Sequence, residues 1–567
     1  MRVARPLLIF LFASCSAPAD WIFHGGVVHT LVEGQEPVSA LVVRGDSIAF
    51  VGGDADALSM AGPRTWVVDL AGRALLPGFH DAHMHLMGYG ESLRTLNLLG
   101  TRSWDEVVSR TVAWGEGLEE GEWLVGNGWD QNDWDEKRLP THHALSEAFP
   151  RNPVLLWRVD GHAALANQAA LDSAGLIAGV EDPAGGRILR EEGGFLSGVL
   201  LDRATGLVTS KIPPPSKDEL RLRLQAAVAS LHRRGVTAVG DAGVDAAGVD
   251  FFRSAAIDGE VQLRLSIMLD GRDEQALNAW LPGGPRPDLD GHGLLSLRSV
   301  KVIADGALGS RGAALREDYA DDPGNRGLVL TPSVELEVLA RRCREAGFQL
   351  CAHAIGDRAC GLVLDAFEVA LEGEKQDLRF RLEHAQLLTR VEVARMARMG
   401  IVASMQAQHA TSDMPWVESR VGALRAEGAY AWRWLMDAGV PIAGGTDAPV
   451  EDPDPIASFW SAVTRTDSEG NPPGGWFPEH RMTRMEALHH LIRLPAWASF
   501  QEGRMGTLEK GKVADLVVLS GDPLTLPESS LPSMKVDMTL FNGSLVHPVQ
   551  GATSGSERPG IILADHD

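Results

Sequence analysis

Thr389-Arg390-Val391-Glu392 opens a run, VEVARMARM, that stops at Gly400 and gives way to Ile401-Val402-Ala403-Ser404-Met405. A Thr followed three residues later by Glu is the capping-box signature of a helix start. Gly400 suits the left-handed stop that ends a helix, and the short apolar stretch after it reads as a buried strand. The same unit recurs on either side. Residues ending in Arg233-Arg234-Gly235 lead to Val236-Thr237-Ala238-Val239, and Leu336 to Ala346 passes through Gly347 to Phe348-Gln349-Leu350-Cys351-Ala352. Tyr430 to Ala438 passes Gly439 into Val440-Pro441-Ile442-Ala443-Gly444. Wholly apolar strands alternating with helices make a parallel sheet covered on both faces. Repetition of the unit at least four times favours an α/β chain folded as a (β/α)8 TIM-type barrel over a doubly wound sheet.

The two ends read differently. Ala40 to Val43, Arg44-Gly45-Asp46 and Ser47 to Val51 form a strand–turn–strand signal, and Ala514 to Leu519 is strand-like. Val536 to Phe541, Asn542-Gly543 and Ser544 to Val546 carry a favoured two-residue hairpin turn. Residues 20–72 and 503–550 are therefore expected to meet in a composite β-sandwich domain flanking a barrel at 73–502. Residues from about 100 to 235 fit the repeat poorly and hold Trp104, Trp114, Trp123, Trp129, Trp134 and Trp157, which marks a large insertion after the first barrel strand.

Residues 1–19 have the order of a bacterial export signal. Met1 to Arg5 is basic, Leu7 to Phe12 is apolar, and Ala13-Ser14-Cys15-Ser16 follows. Lipidation at Cys15 would anchor the chain to the periplasmic or outer membrane surface. Phe12 departs from the Leu usual in lipoprotein signals, and Ala17-Pro18-Ala19 offers cleavage to a secreted form instead. An ordinary apolar N-terminal strand is the competing reading. No later segment is apolar over the ~20 residues a spanning helix needs.

The 567 residues include 62 Gly, 31 Pro, 44% hydrophobic and 23% charged positions, enough apolar surface for a large core. A net charge of −24 excludes nucleic acid and an anionic membrane surface as main partners. Beyond Cys15, only Cys343, Cys351 and Cys360 remain, and none has the CxxC spacing of a thiolate metal site, so buried free thiols are expected.

The chemistry concentrates at strand ends. In Leu76-Pro77-Gly78-Phe79-His80-Asp81-Ala82-His83-Met84-His85, residues i and i+2 of a strand share a face, so His83 and His85 can both point into a barrel mouth. His353 closes the strand after Gly347, His384 the next one, and Asp447 follows the strand ending in Gly444-Gly445. Barrel active sites form at the C-terminal ends of strands. Two His pairs and a carboxylate gathered there point to a metal.

The motifs GFHDAHMH, VKVIADGALGSR (300–311), CAHAIGDRA (351–359), RLEHAQ (381–386), GTDAPV (445–450) and GTLEKGKVADLVVLSGDPL (506–524) resemble the amidohydrolase superfamily. More narrowly they are similar to its amidohydrolase-3 branch, the group resembling N-substituted formamide deformylases. Gly128-Trp129-Asp130 and Asp160-Gly161-His162 match that branch's insertion. The resemblance implies two divalent metals, usually Zn2+, with His83, His85 and Asp447 holding one and His353 and His384 the other. Lys301 matches the lysine such sites carboxylate to a bridging carbamate, whose charge would leave the centre only mildly positive. A mononuclear site with Lys301 in a salt bridge is the alternative. By the same resemblance a metal-bound hydroxide attacks the substrate carbonyl and Asp447 is the catalytic proton shuttle to the leaving nitrogen. Trp129, Asp130, His162, Arg311 and His409 are weaker substrate-binding candidates.

Two positions depart from the pattern. His80 replaces an apolar residue and, by alternation, faces away from His83. Gly240 stands where a His is frequent. The reading is thus an enzyme that hydrolyses a non-peptide C–N bond of amide or formamide type in a small molecule, with a homodimer as the family's usual assembly. Deamination or cyclic-amide opening at the same metals, and a non-catalytic exported binding protein, are the alternatives.

Overall fold

A computed structural model of the chain describes residues 18–158, 163–183 and 186–547. The segment with Cys15 and the export signal, and the candidate His162, lie outside the described residues. Among them, no helix is long and apolar enough to cross a membrane.

Eight strands form one parallel sheet: β1 (Phe79–Met84), β2 (Val236–Val244), β3 (Arg264–Asp270), β4 (Leu295–Ile303), β5 (Gln349–Ala354), β6 (Arg381–His384), β7 (Val402–Gln406) and β8 (Ile442–Gly445). They pair in sequence order. The sheet curls until its edges meet, where the Asp447 amide donates to the His83 carbonyl at 2.7 Å and the His85 amide to Ala448 at 2.8 Å. The TIM-type barrel predicted from the helix–Gly–strand repeat is what these residues form. Gly235, Gly347, Gly400 and Gly439 all take φ between 68° and 76°, the left-handed stop that only Gly adopts without strain. Thr389 and Glu392 complete the capping box.

Strands from both ends of the chain surround the barrel's entry. One four-stranded sheet holds Trp21–His24, Ala40–Arg44, Ser47–Gly52 and Trp66–Asp69. A five-stranded sheet joins Val27–Val28 and Ala74–Pro77 to Leu516–Leu519, Val536–Phe541 and Ser544–His547. Phe23, Leu41 and Val43 of the first share one buried core with Leu75, Val518 and Leu540 of the second. Asn542 and Gly543 take φ of 52° and 73°, the left-handed pair that a tight hairpin requires.

Residues up to Leu86 and from Val228 onward make one compact unit, and Met87–Ala227 make another. The second unit has a six-stranded sheet over a core that includes Trp129 and Trp134. Its limits differ from the expected 100–235. Helix Lys217–Arg233 runs into the Gly235 stop that feeds β2, and Thr539 Oγ1 donates to the His232 carbonyl at 2.7 Å, so the last residues of that helix go with the barrel. At the other end no sequence signal separates Leu86 from Met87.

Arg264 at the start of β3 joins the barrel to the terminal sheets. Its Nε and Nη2 donate to the two Asp515 oxygens at 2.5 and 3.1 Å, and both side chains are 4% exposed. Removing one partner of such a pair strands a buried charge. Arg264→Met is expected to lower unfolding stability by about 3–5 kcal/mol, read as a shifted denaturation midpoint; a midpoint within error of the parent would contradict the ion pair's role.

Candidate metal centre

The seam between β1 and β8 builds the first half of the site. A Cβ on Gly445 would lie 2.7 Å from the His83 amide nitrogen and 2.9 Å from Asp81 Oδ1, and one on Gly444 would lie 2.7 Å from His490 Nε2. The two glycines therefore let β8 approach β1 closely enough to deliver Asp447. Asp81 ties the seam, accepting from the His83 and Thr446 amides at 3.0 and 3.1 Å and from Thr446 Oγ1 at 2.5 Å. Asp447 sits at φ 59°, His384 at 68° and Ala385 at 45°, left-handed conformations uncommon for residues with a Cβ. Such backbone concentrates at functional sites.

His83 and His85 present Nε2 to one atom, Asp447 Oδ1, at 3.4 and 3.2 Å. Ligand atoms of the three side chains lie within 4.8 Å of one another. His384 completes an array of rings, 5.1 Å from His83 and 4.5 Å from His353 between centroids.

Three of the rings have one nitrogen set against a protein oxygen. His83 Nδ1 meets Glu383 Oε2 at 2.5 Å, His85 Nδ1 meets the Ala242 carbonyl at 3.0 Å, and His384 Nδ1 meets Gln406 Oε1 at 2.9 Å. His353 Nε2 stands 3.5 Å from Asp305 Oδ1, too long for a hydrogen bond, and is buried without a hydrogen-bond partner. Anchoring one nitrogen leaves the other free to ligate, the arrangement by which proteins orient metal-binding histidines. The donor set, four imidazoles and a carboxylate at strand ends, fits a divalent metal of the zinc type.

Lys301 of β4 is 5% exposed, and its Nζ lies 3.0 Å from His83 Nε2. β1 and β4 are not neighbours in the sheet, so this contact runs through the barrel interior, as does the one between His83 and Glu383. Burial holds the Lys301 amine below the ordinary lysine range, and Arg381 adds to the effect against the pull of Glu383 and Asp447. Burial likewise lowers His83 and His384, and brings His353 to about 3, keeping these rings neutral at pH 7. Burial would raise Asp447, but its hydrogen bond to His85 and the nearby rings outweigh that and hold the carboxylate charged.

The remaining candidates divide. His409 joins the site: its ring stacks on His384 at 6.1 Å and 12°, with Nε2 buried and unpartnered. Arg311 is engaged elsewhere, donating to both Asp321 oxygens at 3.1 and 2.8 Å on the exposed side. Trp129 and Asp130 belong to the 87–227 unit. There Trp129 is a core residue whose Nε1 donates to Leu156 at 2.8 Å, and Asp130 pairs with Arg158 at 2.6 Å. His80 is buried among Pro77, Thr237 and Ile492 with neither ring nitrogen bonded, outside the ring cluster. At Gly240 a Cβ would lie 2.3 Å from the Ala82 carbonyl, so no side chain fits between β1 and β2 there.

Glu383, Gln406 and Asp305 escaped the sequence reading. Glu383 was visible as the i−1 neighbour of His384 in RLEH, but its partner is 300 residues away. Asp305 is fully buried, accepting from Ala314, Ile355 and Gly356 amides at 2.8, 3.0 and 2.8 Å, and burial pushes its carboxyl up to about 7. It lies in ADGALGSR, where nothing local distinguishes it from a turn residue.

Known proteins are similar to this chain along nearly its whole length. The protein YtcJ of Bacillus subtilis (strain 168) is 33% identical over 539 residues, 93% of this chain and 99% of YtcJ. N-substituted formamide deformylase of Arthrobacter pascens is 29% identical over 541 residues, 93% and 98% of the two chains. The crystal structure of an uncharacterized metal-dependent hydrolase from Pyrococcus furiosus superposes with a TM-score of 0.74 at 28% identity, covering 89% of this chain and all of that one. The model of the amidohydrolase family matches residues 66–547, from the β-rich entry through every strand that bears a site residue. With barrel, ring cluster and family match coinciding along nearly the whole sequence, the chain belongs to the amidohydrolase family and is a hydrolase acting on carbon–nitrogen bonds.

Proposed function

We propose that the chain hydrolyses a non-peptide C–N bond, of amide or formamide type, in a small molecule at a centre of two divalent metals, Zn2+ foremost. The observation that carries this reading is the convergence of His83 Nε2 and His85 Nε2 on Asp447 Oδ1 with the opposite nitrogen of each ring already bonded to protein. Likeness to N-substituted formamide deformylase over the full length supports the amide class.

In this reading His83, His85 and Asp447 would hold one metal and His353 and His384 the other, and a carboxylated Lys301 would supply a further anionic ligand. Burial beside His83 shifts Lys301 toward the neutral amine, the form that reacts with CO2, and the product is an anion where the ammonium would repel the metals. Metals bound there supply Lewis acidity toward a carbonyl and lower the pKa of water to about 7. The chain's own part is to hold and move protons. Asp447, kept anionic by its contact with His85, accepts the proton of the attacking water and returns it to the departing nitrogen, which leaves poorly without one. Glu383 and Gln406 keep the rings in place meanwhile.

Four outcomes follow. Chelation is expected to abolish hydrolysis, with recovery on adding Zn2+; full activity in rigorously metal-free protein would sink the reading. Asp447→Asn should reduce kcat by about 10²–10⁴, and a kcat equal to the parent's would remove Asp447 from proton transfer. Lys301→Met should bind one metal fewer, and the parent reconstituted with Zn2+ should need bicarbonate; equal metal content in the two proteins argues for a mononuclear centre. A panel of N-formyl, N-acyl and cyclic amides assigns the substrate class, with turnover of the cyclic amides alone contradicting the formamide reading.

A further inference from the structure

Beneath the ring cluster the barrel encloses a buried ion pair that the proton chemistry above does not use. Glu383 is fully buried. Arg381, two residues earlier on the same strand and 1% exposed, brings Nε to 2.7 Å from Oε1 and Nη2 to 3.2 Å from Oε2. The same guanidinium is fixed by the Ala82 carbonyl and Ser404 Oγ, both at 2.8 Å, so it is anchored to β1 and β7 as well as β6. Glu383 Oε2, shared with Arg381 Nη2, also meets His83 Nδ1 at 2.5 Å.

We infer that Glu383 is the positioning residue of the metal centre: it fixes His83 as the Nδ1–H tautomer and so points the Nε2 lone pair at the metal, while Arg381 holds the carboxylate in place. The inference rests on the metal reading above. Its physical content is the choice between tautomers. A carboxylate is an acceptor only, so the nitrogen it contacts must carry the hydrogen. Without it, nothing stops His83 from protonating Nε2 instead. On the other side of the ring, Nε2 lies 3.0 Å from Lys301 Nζ. Burying a carboxylate costs several kcal/mol before compensation, and Arg381 alone would balance the charge. The contact with His83 is therefore a separate feature of the arrangement, and substitution can divide it from the charge balance.

The test is zinc affinity by chelator competition, read beside the melting temperature of the metal-free protein. Glu383→Leu should lower both, because it strands Arg381 and frees His83. Arg381→Met with Glu383→Leu removes both charges; its melting temperature should recover while zinc binds about 10–100-fold more weakly. Arg381→Met with Glu383→Gln restores a neutral acceptor for Nδ1–H and should return affinity toward the parent's. Parental zinc affinity in the Met/Leu double variant would reduce the pair to core packing and overturn the inference. Should that variant not fold, Glu383→Asp keeps the charge for Arg381 but falls a methylene short of Nδ1, and parental affinity in it overturns the inference equally. A parent that binds no zinc is a different failure, that of the metal reading itself.

Discussion

A closed parallel barrel gives the ionisable groups in its interior no access to water, so each must find its partner inside. This constraint organises the whole centre. Arg381 is balanced by Glu383, Glu383 reaches across to His83, and His83 turns its other nitrogen to Lys301 and Asp447. The contacts link β1, β4, β6 and the segment after β8, strands far apart in sequence, and are as much a description of how the barrel core is filled as of the site. Buried polar groups left unpaired are costly; here the pairing scheme leaves Nε2 of His83 and of His85 turned toward Asp447.

The site also depends on how tightly the sheet closes. Gly444 and Gly445 carry no side chain where β8 passes His490 and β1, and the chain then turns through a left-handed Asp447 whose amide bonds back to His83. Carboxylate and ring pair are therefore set by main-chain closure, not by a flexible loop. Placing reactive groups on rigid elements is what fixes their geometry closely enough for chemistry. The terminal sheets contribute from below: Gly78, entering β1, donates to the Asp515 carbonyl, and Asp515 holds Arg264 at the start of β3.

Much of this was legible in the sequence because local rules govern it. Helix–Gly–strand punctuation gave the barrel, since a left-handed stop is a property of one residue. The His83/His85 pair was readable because strand alternation is local too. Glu383, Gln406 and Asp305 were not, because their roles depend on register between strands and the sequence alone carries no register. The limits of the 87–227 unit were not legible for a related reason: helix Lys217–Arg233 is continuous, and which of its turns belongs to which packing unit is decided by tertiary contact. Arg311 shows the converse. Its motif made it a substrate-binding candidate, yet Asp321 lies within bidentate reach and takes the guanidinium.

The most direct measurement is anomalous X-ray scattering at the zinc absorption edge from crystals of the zinc-loaded protein. Two anomalous peaks are predicted, one among His83, His85 and Asp447 and one beside His353 and His384, with continuous density joining Lys301 Nζ to both. Zinc peaks elsewhere on the molecule, with the ring cluster bare, would contradict the account.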